Sequence, residues 1–257
     1  MKWNPNQYLA YGDYRTRPAV DLLARVHADH PARVVDLGCG PGNSTRLLTE
    51  RWPQAQVTGI DSSLSMIEAA QAAGMAGVDW AVATIEGWQP SEPVDVLFSN
   101  AALHWVADHA TLLPRLLSFV RPGGELAFQI PYRHGPQSFV ETLHRIAQEG
   151  PWRDKFTSLT WGLPDVPLAT YYDWLAPHAE TIDLWTTQYL QVLTGEDPVL
   201  EWIRGTALLP FLERLDPTEQ PDFIAQCVPG LRQAYPRRAD GTTLFPFLRM
   251  FAVAQRR

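Results

Sequence analysis

Two hydrophobic periods alternate along the first half of this 257-residue chain. Short apolar runs rich in Val and Ile recur, and each is followed by a segment whose apolar residues fall three or four apart. The runs have the character of buried strands, and the segments between them have the period of helices. The pattern predicts strands at RVVDLG (33–38), VTGID (57–61), VDWAVA (78–83), VDVLFSN (94–100) and ELAFQI (125–130). It predicts helices at PAVDLLARVHAD (18–29), GNSTRLLTERW (42–52), SSLSMIEAAQAAG (62–74) and DHATLLPRLLSFV (108–120). Pro18 suits the first turn of its helix, Ser62 or Ser63 caps the third, Gly74 closes it, and Pro114 interrupts the fourth.

Strands that alternate with helices are joined by crossovers, and crossovers run strands parallel. The expected fold is therefore α/β, a Rossmann-like doubly wound sheet with helices on both faces. Its ligand belongs at the carboxyl ends of the strands. Beyond residue 135 the pattern changes. Residues 137–149 and 170–178 read as helices, 181–193 as a strand, 196–235 as two or three helices, and 243–255 as a last strand. The expected organisation is one domain over 1–257. It comprises an N-terminal helical segment (1–30), a ligand-binding core (33–135) and a helical cap (196–240) inserted between the last two strands, over the ligand edge.

Composition narrows the partners. A net charge of −7 disfavours a nucleic-acid ligand, whose phosphates are neutralised by basic surface. No run is apolar for long enough to span a membrane. The two cysteines, Cys39 and Cys227, make no disulfide framework, and the first residues hold no signal-like apolar stretch, so a cytoplasmic protein is expected. No His spacing suggests a metal site.

The chemistry concentrates in VVDLGCGPGNST (34–45). Glycines at 38, 40 and 42 let backbone approach a ligand closely. The spacing is G-x-G-x-G, not the G-x-G-x-x-G of dinucleotide folds. Asp36 repels a pyrophosphate but accepts from an ammonium. Asp61, ending the second strand, is placed to accept from ribose hydroxyls. A ligand with a ribose, an ammonium and no phosphate is S-adenosylmethionine.

The D-x-G-x-G-x-G loop with the second-strand Asp resembles that of the class I S-adenosylmethionine-dependent methyltransferases. Further stretches extend the resemblance over nearly the whole chain to the trans-aconitate methyltransferase family. They include W-x-P-x-x-Y-L (3–9), R-x-RPA-x-DLL (15–23), SNAALHWVADH (99–109), GPW (150–152), IDLWTTQY (182–189) and WIRGTALLPFL (202–212). The resemblance implies a mostly parallel sheet with an antiparallel last strand, and transfer of a methyl group to one carboxylate of trans-aconitate. The implied cofactor residues are Asp36, Gly38, Cys39 (a small loop filler), Gly40 and Asn43, then Asp61, Ser62 and Met66, then Thr84, Ile85 and Asn100.

A carboxylate is ionised at neutral pH and needs no general base. The expected site therefore positions and excludes water, without an acid–base dyad. His104 and Trp105 stand beside the expected methyl. Arginine grips carboxylates in bidentate fashion, so Arg15, Arg17, Arg204 and Arg249 are candidates for the non-reacting carboxylates. Tyr8, Trp152 and Tyr189 are candidates for an aromatic wall. His109 reads as a helix-start residue without a role. The expected partner is a small polycarboxylate, with no nucleic acid, membrane or metal, and a monomeric chain.

Two positions depart from the family pattern. Thr84 stands where many relatives place an Asp for the adenine amino group, and Leu209 stands where the cap motif usually has Arg. Leu209 leaves open another small di- or tricarboxylate, or an acyl-chain acid, as substrate. A cofactor-binding module without turnover and an RNA methyltransferase are more distant alternatives.

Overall fold

The computed structural model describes residues 12–133, 138–159 and 166–257. Its centre is a seven-stranded sheet of order β3-β2-β1-β4-β5-β7-β6. The strands are β1 (Arg33–Leu37), β2 (Gln56–Asp61), β3 (Val78–Val82), β4 (Val94–Asn100), β5 (Val120–Pro131), β6 (Ala179–Leu193) and β7 (Thr243–Arg256). β1 to β5 pair in parallel, and β7 runs antiparallel to β5. The strand order reverses between β1 and β4, which places the switch point directly after β1.

The described residues cluster into two compact units. The larger comprises residues up to 132 with 166–187 and 249–257. It contains α1 (Gly12–Leu23), α2 (Asn43–Arg51), α3 (Leu64–Ala72), α4 (His109–Phe119) and α6 (Leu168–Leu175). Every residue of β4 is buried, as befits a strand covered on both faces.

Three local expectations give way to packing. α1 begins at Gly12 and not at Pro18, so Pro18 lies inside it. The helix also ends at Leu23, six residues before the expected end, and leaves Val20 exposed. Beyond that end the buried Glu125 accepts from the backbone N–H of His27 (2.8 Å) and Ala28 (3.1 Å). α4 runs through Pro114 unbroken. An interior proline costs about 3 kcal/mol, but burial of Leu112, Leu113, Leu116 and Leu117 contributes about 1.5–3 kcal/mol for each side chain. β5 begins at Val120, five residues before the strand expected at 125–130, and takes in Arg121 to Gly124, where the pairing with β4 shifts between Val94 and Val96.

The second unit comprises described residues of 133–165 and 188–248. It holds α5 (Ser138–Glu149), α7 (Pro198–Arg204), α8 (Leu209–Leu212) and α9 (Gln220–Ala234). α9 lies close against α5 at Gly230, where a Cβ would come within 2.8 Å of Thr142. The core is aromatic. Phe223, fully buried, stacks on Phe211 at 5.7 Å and meets Phe156 and Trp152 at 5.5 Å each. The expected helices between the last two strands are thus present, as α7, α8 and α9. No helix among the described residues is long and apolar enough to cross a membrane.

Phe223 packs against three rings at once, so truncating it leaves a cavity that those rings cannot fill. Phe223→Ala should lower unfolding free energy by about 3–5 kcal/mol, read from the urea midpoint at unchanged slope.

Candidate active site

The loop after β1 is fastened to the end of β2. The N–H groups of Gly38 and Cys39 both donate to the Ile60 carbonyl, at 2.7 and 2.9 Å. The Gly40 N–H donates to Asp61 Oδ2 at 2.9 Å. Gly38, Gly40 and Gly42 all have positive φ, at 79°, 55° and 91°, which side chains on Cβ disfavour. Gly38 has a second reason to be glycine, because a Cβ there would overlap that of Ala102. Gly40 is the opposite case, with nothing within 4 Å of where its Cβ would stand. The loop backbone is pressed against the protein at one glycine and open at the next.

Asp36 lies behind the loop, completely buried. Its Oδ2 accepts from the hydroxyls of Ser44 (2.7 Å) and Thr45 (2.6 Å) at the start of α2. Its Oδ1 is buried without a hydrogen-bond partner among the described residues. Burial pushes the Asp36 carboxyl up to about 6, with the charge of Asp61 adding to the shift, against the lowering effect of the two hydroxyls. Burial raises Asp61 as well. Two carboxylates whose charged forms are disfavoured, one with an orphaned oxygen, make a place that a cation stabilises. The cationic ribose-bearing ligand expected from the sequence fits this donor and acceptor set. Asp61 Oδ1 also accepts from Ser63 N–H at 2.9 Å, so Asp61 ties loop, strand and α3 together before any ligand is considered.

The other expected ligand residues are placed as follows. Met66 is buried in α3, whose N-cap position is Ser63 and not Ser62, without a capping hydrogen bond from the Ser63 side chain. Asn43 opens α2. Cys39 is buried with its thiol toward the Gly40 carbonyl, and burial raises its pKa strongly, so it is an inert filler. Thr84 is exposed, but its Oγ1 already accepts from Gly87 N–H at 3.1 Å, which bends the loop after β3. Asn100 is buried at the end of β4, with its Oδ1 accepting from Gln129 Nε2 at 2.5 Å. The Trp80 ring of β3 fills the space where a Cβ on Gly59 would stand and comes within 3.1 Å of where one on Gly42 would stand, a contact the sequence pattern did not signal.

The residues expected to meet a substrate fall into both units. His104, Trp105 and Arg249 belong to the larger unit. Ala101, with φ of 55°, turns the chain sharply out of β4 into the 3₁₀ turn Leu103–Trp105, where the rings of His104 and Trp105 lie 4.8 Å apart. A non-glycine residue in this region signals local strain held in place by its surroundings. His104 Nδ1 is buried without a hydrogen-bond partner among the described residues. Burial pulls the His104 pKa down to about 3, with the charge of Arg249 adding to it, so the ring is neutral at physiological pH. His109, given no role above, holds this turn from beneath. Its Nε2 bonds the Leu103 carbonyl at 2.9 Å and its Nδ1 the Tyr171 hydroxyl at 3.0 Å. This assigns the neutral tautomer that donates from Nε2 and accepts from Tyr171.

Arg17 is exposed on α1, Arg15 lies on the same helix with its side chain outside the described atoms, and Tyr8 lies outside the described residues. In the second unit, Arg204 ends α7 and pairs with Glu201 at 2.9 Å. Trp152 packs edge-on against Phe223, and Tyr189 is buried. Leu209 opens α8. Among the described residues no cluster of His, Cys, Asp and Glu could hold a metal ion. Ser44, Thr45, Gln129 and the His109–Tyr171 pair were missed in the sequence. Only the polar N-S-T run after the glycines hinted at the first two.

A family model described as a methyltransferase domain matches residues 34–124. A protein of Azoarcus sp. (strain BH72) named trans-aconitate 2-methyltransferase is 49% identical over 256 residues, covering 99% of each chain. A protein of the same name from Mycolicibacterium gilvum (strain PYR-GCK) is 46% identical, covering 98% of each. Among solved structures, the YcgJ protein from Bacillus subtilis superposes with a TM-score of 0.61 at 14% identity, over 94% of this chain and 99% of that one. Phosphoethanolamine N-methyltransferase 2 from Haemonchus contortus, in complex with S-adenosyl-L-methionine, gives a TM-score of 0.57 at 18% identity, over 94% of this chain and 53% of that one. At those identities the two structures share the fold.

Gly38→Ala should abolish binding of S-adenosylhomocysteine, measured by calorimetry. The double variant with Ala102→Gly should recover only part of it, since the overlap is relieved but the positive φ is not. A second expectation concerns pH. The folded-state pKa of Asp36 lies above its ordinary value, so this group's contribution to stability is complete below about pH 4 and is lost as pH rises through about 6. A bound ammonium favours the carboxylate and reverses that loss. Affinity for S-adenosylhomocysteine should therefore rise by up to about tenfold between about pH 5 and about pH 7. Asp36→Asn should bind weakly and without this slope.

Proposed function

The chain belongs to the trans-aconitate 2-methyltransferase family, and we propose that it transfers a methyl group from S-adenosylmethionine to one carboxylate of trans-aconitate, forming the monomethyl ester. The observation that carries this reading is the near-complete span of the relatives' similarity, combined with a β1 loop whose buried, orphaned Asp36 oxygen suits a cationic cofactor.

S-adenosylmethionine, when bound, supplies a methyl group on a positively charged sulfur. The residues proposed to hold it are Asp36, Gly38, Gly40, Asn43, Asp61, Ser62 and Met66, with Thr84, Ile85 and Asn100 farther along the strand ends. Cys39 fills the loop. The chain's task toward the acceptor is placement. The acceptor carboxylate is already anionic, so no side chain has to take a proton. A carboxylate meeting a sulfonium cancels two charges, and a water-poor site favours that cancellation. The neutral His104 fits this demand, because it donates a hydrogen bond without adding charge. Trp105 beside it offers an aromatic face, which favours a cation. Arg249 in the larger unit, Arg15 and Arg17 on α1, and Arg204 in the second unit are the proposed partners of the remaining carboxylates. Tyr8, Trp152 and Tyr189 are the proposed aromatic contributors. The proposed partner is a small polycarboxylate and the proposed state a monomer in the cytoplasm, with no metal in the reaction.

Leu209 supports a second reading, in which the same chemistry acts on an acid with one carboxylate fewer or an apolar tail. Both readings meet in one assay of methyl transfer from labelled S-adenosylmethionine to trans-aconitate, cis-aconitate, citrate, isocitrate, itaconate and a fatty acid. Trans-aconitate should exceed every other acid in kcat/KM by about tenfold or more. Labelling of itaconate or the fatty acid, with trans-aconitate ignored, would overturn the proposal and leave only the fold and the reaction type.

A further inference from the structure

His109 has no role in the sequence pattern, yet three elements of the larger unit meet on its ring. It opens α4, where Asp108 caps the helix by accepting from the Thr111 N–H at 3.1 Å. From there the ring reaches in two directions. Nε2 donates to the Leu103 carbonyl at 2.9 Å, and Nδ1 accepts from the Tyr171 hydroxyl of α6 at 3.0 Å. His109 is 6% exposed and Tyr171 0%. Burial lowers the His109 pKa and raises that of Tyr171, so the ring stays neutral and the hydroxyl keeps its proton. Those are the forms that this pair of hydrogen bonds requires.

Leu103 begins the turn that carries His104 and Trp105. Its carbonyl accepts from the Val106 N–H at 2.9 Å within the turn, and His109 takes the second lone pair. The turn has reason to need holding, because Ala101 leads into it at φ of 55°. Strain of that kind persists where surrounding contacts over-determine the backbone. On the entry side the Ala101 N–H donates to the Gln129 carbonyl at 2.9 Å. On the exit side stands His109. The support behind His109 is itself fixed. Tyr132, which follows β5, donates its hydroxyl to the Val166 carbonyl at 2.7 Å just ahead of α6, and Tyr171 packs edge-on against Trp174 at 5.1 Å. The glycine loop has separate fastenings, to Ile60 and Asp61.

We propose that His109 and Tyr171 are positioning residues for methyl transfer, which hold the 103–105 turn so that His104 and Trp105 meet the acceptor carboxylate in line with the methyl group. The proposal deepens the functional reading above and rests on it. Neither residue touches substrate. Neither exchanges a proton, because both ring nitrogens of His109 are engaged and a carboxylate acceptor needs no base. They act on distance. A displacement of about 1 Å at the reacting atoms can cost about a hundredfold in rate, and one turn of backbone carries both of the side chains concerned.

The two ring nitrogens can be replaced one at a time. In His109→Gln the amide nitrogen reaches the place of Nε2 and keeps the bond to Leu103. In His109→Asn the amide oxygen takes the place of Nδ1 and keeps the bond from Tyr171, while Leu103 loses its partner. Tyr171→Phe removes the hydroxyl alone. Each variant is assayed well below its unfolding midpoint for affinity to S-adenosylhomocysteine and for kcat and KM with trans-aconitate. His109→Asn should lower kcat by about tenfold or more, with KM within about threefold and S-adenosylhomocysteine affinity within about twofold. His109→Gln and Tyr171→Phe should each lower kcat by only about threefold, and the double variant by no more than either, since both remove the same hydrogen bond. An unchanged kcat in His109→Asn would overturn the proposal, as would an equal loss in His109→Gln, or a fall in cofactor affinity that matches the fall in kcat. If His109→Asn does not fold, the Gln and Phe pair decides: losses that multiply in the double variant, or no loss in either, would overturn it.

The same series separates this proposal from the substrate reading. If the unaltered chain ignores trans-aconitate but methylates another acid of the panel, the variants are measured on that acid. The same ranking there means that the substrate reading fails and the positioning pair stands. Methylation of trans-aconitate at equal kcat in every variant means the reverse. Methylation of no acid by the unaltered chain would overturn both.

Discussion

Residue 38 has no room for a side chain, because the space where its Cβ would stand belongs to Ala102. That overlap expresses the tightest constraint in the larger unit. β1 and β4 are neighbours in the sheet, and the loops leaving their carboxyl ends are driven together there. One chain yields by having no Cβ, at Gly38. The other yields by turning through positive φ at Ala101, which costs about 1–2 kcal/mol for a residue with a side chain. The close approach carries the site with it. It brings the 103–105 turn beside the glycine loop, and it leaves Asp36 sealed behind that loop with only the Ser44 and Thr45 hydroxyls for company.

The charges near the strand ends are divided by sign. At β1 and β2, Asp36 and Asp61 are both disfavoured in their charged forms by burial, and a cation relieves both. At β5 and β7, the buried Arg249 guanidinium donates to Gln129, whose amide in turn donates to Asn100. A reaction in which a cationic sulfur loses its methyl to an anionic oxygen needs that division. Each reactant is drawn to its own side, and the product pair carries less charge than the reactants. His109 and Tyr171 keep the division rigid from below, since each is buried and each satisfies the other.

The second unit answers to a different physics. Its interior is built from rings, with Phe211, Phe223, Phe156 and Trp152 in mutual contact. Ion pairs lie at its surface, such as Lys155 with Asp216 and Glu219, or Arg232 with Asp197. Exposed pairs of this kind contribute about 1 kcal/mol or less each, so the aromatic core and not the ion pairs holds this unit together.

The chain's own letters determined the alternation of strands and helices, the parallel sheet, the glycine loop and the two carboxylates beside it. Those features are local: a period of two or near four, three glycines at fixed spacing, an acid at each strand end. The resemblance carried by motifs outside the loop then pointed to the family. What the letters left open depended on distant partners. Pro18 and Pro114 read as boundaries, yet both helices run through them, because burial of the surrounding leucines outweighs one lost hydrogen bond. The helix expected over 18–29 stops at Leu23; Ala24 to Val26 donate back to Val20, Leu22 and Leu23, and Glu125, about a hundred residues away, takes the N–H groups of His27 and Ala28. Asp36 read as a ready acceptor, and only the fold reveals that burial raises its pKa and that two hydroxyls claim one of its oxygens. Gln129 read as one polar letter in a strand. Tertiary structure alone made it the link between Asn100 and Arg249, since strand order brings together residues that lie 29 and 120 positions apart in the chain.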